Sequence, residues 1–253
     1  RVDFAVAQAT TVSGDEVVVL PGTYPDERVD LAGKSLLLRS TGGAGVTTLR
    51  GATDGPIVED DDGGSSALDG FTFEAGRGLR SQVDFRRRGG AVLLVDSDIA
   101  LRRSIFADCN ADIGGALHAF GETRRVDVTL DRCVVRPDCF ADGDGGAVFV
   151  EGADLTIERC NLSASSTYEQ GGIVHASRGT ASDARLTVRG SLLDGNAYDS
   201  GGAVFTAGVD IEMVDSIVRG RSREDYFGGG LYVIGGVVDV RGCTFEDCEA
   251  IIG

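Results

Sequence analysis

Arg102, Asp131, Glu158 and Arg189 stand at the same place in four consecutive repeats, each two residues before a Ser or Cys. Two stacked carboxylates can hold a hard cation such as calcium against an acidic sugar. An arginine beside them can abstract the sugar's C5 proton, so the set meets the needs of calcium-dependent elimination. On that reading Asp131, Glu158 and Arg189 are the catalytic candidates. The same residues also make a cross-strand ion ladder, in which like charges settle between opposite ones. Both readings stand at this point.

Other reactive residue types are sparse. His118 and His175 fall two repeats apart, about 9.6 Å at the usual strand spacing, too far to share a metal. Neither has a Ser or Cys nucleophile and an orienting acid in its own repeat, which excludes a triad. The cysteines Cys109, Cys133, Cys139, Cys160, Cys243 and Cys248 contain no Cys-x-x-Cys pair and no Cys/His cluster, so no metal is assigned to them. Cys133, Cys160 and Cys243 take the place that Ser104, Ser191 and Ser216 take elsewhere, as a small buried side chain would. Stacking at about 4.8 Å also brings Cys133–Cys160, and Cys109–Cys139 at the next corner, inside disulfide range. Calcium is the one cofactor the residues suggest, at the acidic turns Asp142-Gly-Asp144 and Glu59–Asp62, for which solvation is the simpler role.

The elements that must carry these residues follow from a repeat. Gly-Gly, a small or apolar residue and an aliphatic one recur at Gly89, Gly114, Gly145, Gly171, Gly201 and Gly228, at intervals of 25 to 31 residues, and Gly253 falls 25 further on. Units of that length stack, because none can bury its own apolar face. Before each Ser or Cys runs a period-two alternation, such as Leu155-Thr156-Ile157 and Leu186-Thr187-Val188, and two residues after it comes Phe106, Val135, Leu162, Leu193, Val218 or Phe245. Each unit thus holds about three short strands and no amphipathic helix. The pattern predicts an all-β chain, a right-handed parallel β-helix with coils of 25–31 residues. One domain spans 1–253, with irregular N-terminal coils over 1–88 and regular repeats over 89–253. Residues 52–66 read as a solvated loop. Both ends read as open, as in an excerpt of a longer chain.

If the aliphatic residue after each Gly-Gly points inward, the next one points out. That outward column reads Leu93, His118, Phe149, His175, Phe205, Tyr232. As an exposed ladder its last five members are the binding candidates, stacking on sugar rings or docking a protein; a covering loop is the alternative. The formal charge of −16 argues against nucleic acid as a partner, since phosphate backbones call for stripes of Lys and Arg. No apolar run is long enough for a membrane-spanning helix.

The Gly-Gly-Ala-aliphatic motif, alternating with a degenerate Phe-x-x-Asn-like element (Leu193-Asp-Gly-Asn196), resembles the repeats of chlamydial polymorphic outer-membrane proteins. The opening Val-Leu-Pro-Gly-Thr-Tyr24 and Gly33-Lys-Ser-Leu36 are similar to first coils of the wider pectate-lyase-like superfamily. The first resemblance implies a secreted or cell-surface adhesin that binds a polysaccharide or surface protein. The second covers lyases, esterases and hydrolases as well as non-catalytic adhesins, and the signatures of its enzymes are not found in this sequence.

Overall fold

A computed structural model of the protein describes residues 1–163, 167–179, 183–222 and 227–250. Parallel strands of two to six residues wind into a β-solenoid of about eight turns with three walls. Within a coil the chain passes through the first sheet just after Gly-Gly (Val92–Val95), then the second (Asp98–Arg102), then the third (Ile105–Ala107). The strands of these three sheets pair with their equivalents one coil away. In the first sheet Val92 lies beside Leu117, Leu117 beside Val148, and so on to Val204 and Leu231. The second sheet stacks Leu38, Leu68, Leu101, Leu130, Ile157, Val188 and Met213. These side chains and the phenylalanine column of the third sheet, where Phe73 and Phe106 stack at 5.1 Å, fill one continuous core. Period-two alternation puts one residue in two into that core, and the parallel register repeats the choice in every coil.

Two corners hold the coils in register. Between the second and third sheets the chain turns through one residue of positive φ: Arg103 (47°), Arg132 (52°), Arg159 (52°), Gly190 (54°), Asp215 (48°) and Gly242 (63°). The Ser or Cys that follows is more than a small filler. Ser191 Oγ donates to the Arg189 carbonyl at 2.9 Å and accepts the Cys160 N–H at 3.0 Å, while the Ser191 N–H donates to Ser216 Oγ at 3.2 Å. Cys160 Sγ likewise donates to the Glu158 carbonyl at 3.2 Å and accepts the Cys133 N–H at 3.3 Å. Hydroxyl and thiol are both donor and acceptor, so either continues a buried ladder that satisfies turn amides no sheet can reach.

At the other corner the two glycines have different duties. Gly201 adopts φ +70°, and a Cβ on Gly202 would lie 2.0 Å from the Gly229 carbonyl oxygen of the next coil. The first supplies a left-handed turn, the second lets successive backbones approach.

Two expectations for the N-terminal part are corrected. The N-terminal end is covered by a helix, Val2–Ala7, whose Val2 and Val6 plug the core and whose Asp3 N–H donates to the buried Glu27 carboxylate at 2.8 Å. The span 52–66 is not a solvated loop. Val58–Asp60 is a strand of the first sheet and Ser65 begins one of the second, with Ile57 and Val58 fully buried. Its run of acids masks a short inward-facing apolar pair. An antiparallel hairpin of Leu79–Arg80 with Arg87–Arg88 also stands out from the solenoid, and Arg86 near its end reaches Glu169 at 2.7 Å. At the other end the last described coil is open, leaving Val240 and Phe245 37% and 44% exposed at inward-facing positions. Gly253 lies outside the described residues.

Candidate functional site

The outer face of the second sheet gathers the charged candidates as the spacing predicts. Arg102 pairs in register with Asp131, Asp131 with Glu158, and Glu158 with Arg189. Each carboxylate is already engaged. Arg159, one of the positive-φ corner residues, contacts Asp131 at 2.6 Å and Glu158 at 3.3 Å, and Arg189 lies 3.5 Å from Glu158 and 2.9 Å from Glu212. Arg241 continues the series to Glu212 at 3.1 Å. Hydrogen bonding to Asp131 and its charge raise the Arg159 pKa above its ordinary value. The geometry is that of an alternating ion ladder. The arginines of the corner, absent from the sequence argument, complete it: a left-handed residue there aims its side chain back across the strand it ends.

Arg102 is the exception. Among the described residues no carboxylate lies within ion-pair distance of it, because neighbouring Asp69 is taken by Arg103 and Asp131 by Arg159. Arg102 borders an open groove of about 450 Å³. The floor of that groove is the in-register row Leu37, Ala67, Ala100 and Thr129. Ser35, Ser65, Asp98 and Asp127 line the side away from Arg102. The depression exists because two alanines stand where later coils carry Thr156, Thr187 and Glu212. Asp98 is fixed by accepting the Asp127 N–H at 2.8 Å and by Arg124 at 2.8 Å.

The aromatic column forms in register but not in solvent. Successive ring centroids lie 4.9 Å apart for His118–Phe149, 4.6 Å for Phe149–His175, 4.7 Å for His175–Phe205 and 5.8 Å for Phe205–Tyr232. His118, Phe149, His175 and Phe205 are buried, and Tyr232 is half-buried. The exposure expected from alternation is therefore corrected. The connection ending at each Gly-Gly lies over the outer face of the first sheet. Asp144 lies 3.4 Å from His175 Nδ1, and Phe227 stacks on Tyr232 at 5.4 Å. Burial first, then the charges of Arg88 and His175, lower the His118 pKa to about 3. Burial works to raise Asp144, but its contact with His175 and the Gln170 N–H outweigh that and pull it low. This column is a second, polar-tipped spine that glues the corner to the sheet. Two aromatics that do meet solvent, Tyr168 and Tyr198, stack on each other at 5.8 Å on the connections themselves. Their place before Gly171 and Gly201 is the signal the sequence carries, and it lies outside the alternating strands.

The acidic turns are also occupied by protein groups. Glu59 takes Arg28 at 2.7 Å, and Asp60 accepts the Gly33 N–H at 2.9 Å, with burial raising its pKa. Among the described residues no cluster of three or more His, Cys, Asp or Glu is arranged to hold a metal. No helix of the described residues is long and apolar enough to cross a membrane. Compared with known protein families and with curated proteins, the chain matches none.

Proposed function

We propose that the chain is a non-catalytic β-solenoid scaffold, extracellular or at the cell surface, that binds a polysaccharide along the outer wall of its second sheet. One observation carries the reading: an exposed guanidinium, unpaired among the described residues, beside a groove with an alanine floor and a polar opposite rim. Such a groove suits a flat sugar ring over the apolar floor, with its hydroxyls on the serine and aspartate side and an acidic group on Arg102. The surface location rests on the resemblance of the repeats. A calcium-dependent lyase using Asp131, Glu158 and Arg189 is the second reading, favoured by the stacked carboxylates. It requires a cation to displace Arg159, which bridges both.

The test is incubation with acidic and neutral polysaccharides, with and without calcium, reading both retention and the release of unsaturated or reducing ends. Retention of an acidic glycan without cleavage, lost in Arg102→Ala, is the expected result. Calcium-dependent cleavage that vanishes in Glu158→Gln would replace the scaffold with the lyase. A chain that retains no glycan would direct the search to surface proteins.

A further inference from the structure

Four of the six cysteines lie as two stacked pairs on three consecutive coils. Cys133 donates its N–H to Cys160 Sγ at 3.3 Å, so one pair occupies the corner after the second sheet. Asn110 pairs in register with Phe140, and the residues just before them, Cys109 and Cys139, are neighbours across the same gap; Phe140 N–H donates to the Cys109 carbonyl at 3.1 Å. All four are buried thiols, whereas Cys243 is half-buried and Cys248 exposed. Contact with the stacked thiol, then burial, raises the pKa of Cys133 and of Cys139 far above the usual range.

The hydrogen-bond ladder does not explain the sulfur at Cys133 and Cys160. Ser191 and Ser216 make the same bonds in the same column, so the ladder needs a small donor and acceptor but not sulfur. Strand spacing between coils, about 4.8 Å, falls within the Cα separation that a disulfide spans.

We propose that Cys133 with Cys160, and Cys109 with Cys139, are dithiol sites that convert to disulfides between adjacent coils. The coil carrying Cys133 and Cys139 is then tied by one bond to the coil on each side. The oxidant is a low-molecular-weight disulfide. One cysteine thiolate attacks it, forming a mixed disulfide and releasing one small thiol. The second cysteine then attacks the protein sulfur, releasing the other. Each site gives up two hydrogens and two electrons, and each oxidant molecule becomes two thiols. Because all four thiols are buried, and Cys133 and Cys139 are held protonated while contact with Cys133 lowers the pKa of Cys160, the conversion is slow in the folded protein, rises with pH, and is fast during folding, when the sulfurs are open to exchange.

The experiment treats the folded chain, and separately the chain refolding from urea, with oxidised glutathione. Remaining thiols are alkylated after unfolding, and peptides are mapped without reduction. The expected products are Cys133–Cys160 and Cys109–Cys139 linkages, with Cys243 and Cys248 carrying glutathione or an alkyl group. Cys160→Ser keeps the ladder's hydrogen bonds; it should leave Cys133 alkylatable while Cys109–Cys139 still forms. Oxidation should move the urea midpoint up in the parent chain, and by less in Cys160→Ser. Four alkylatable buried thiols under both protocols, or linkages joining other cysteines, would overturn the proposal.

Discussion

Lowering the pH from 7 to 5 should cost the fold about 2 kcal/mol through His118 alone. In the folded chain its pKa is lowered from 6.5 to about 3, chiefly by burial. The unfolded imidazole takes a proton below pH 6.5 and the folded one does not until about pH 3. The contribution of neutral His118 is therefore complete above 6.5 and lost progressively as the pH falls toward 3. At pH 5 the unfolded state gains RT ln(1 + 10^1.5), about 2 kcal/mol, and this figure barely changes if the folded value lies a unit higher. The control is His118→Phe, since the same column already accepts Phe149 and Phe205. Urea unfolding followed by circular dichroism, both chains at both pH values, isolates the histidine as a difference of differences; the chain has no Trp to follow instead. Carboxylates titrating near pH 5 affect both chains and cancel. A loss between pH 7 and 5 that is the same in both chains within about 0.5 kcal/mol would refute a buried neutral His118.

Cys160→Ala should destabilise the chain by about 1–3 kcal/mol relative to Cys160→Ser, because only alanine strands the buried Cys133 N–H; urea midpoints measure it. Gly202→Ala should cost about 3 kcal/mol or more, since its Cβ would meet the Gly229 carbonyl at 2.0 Å. Gly45→Ala, with open space around it, should stay within about 0.5 kcal/mol, and thermal melts of the two variants separate these outcomes. Arg102→Ala should abolish retention of an acidic polysaccharide and leave the melting temperature unchanged, since among the described residues no carboxylate pairs with it; affinity electrophoresis beside a melt reads both.

Much of the architecture could be read from the residues. The Gly-Gly interval gave the coil, the Ser/Cys column marked a corner, and the alternating runs assigned the inward faces that the registers bear out. The charged column was legible for the same reason, since a parallel register turns sequence spacing into spatial adjacency. What escaped has a common cause: alternation tells which way a side chain points, not what lies beyond it. His118, Phe149, His175 and Phe205 do point out of the core, yet the connections that end at the glycine pairs cover them. Arg159 was invisible as the partner of Asp131 because a corner residue of positive φ breaks the alternation. The groove beside Arg102 depends on Ala67 and Ala100, residues unremarkable in type and notable only against the Thr and Glu of later coils. The N-terminal helix is six residues long, too short for helical periodicity to declare itself.

The stacking of each strand on its equivalent in the previous coil gives the solenoid a simple order of folding. Each coil needs as template only the coil before it, some 25–31 residues upstream in the regular part. The closure entropy per coil is then nearly constant, about 3 kcal/mol beyond a fixed term, however long the rod becomes. A chain that folds as it is synthesised lays every new strand on an edge already formed. Contact order relative to length therefore falls as coils are added, and lengthening such a wall need not slow its folding in the way that lengthening a sandwich would.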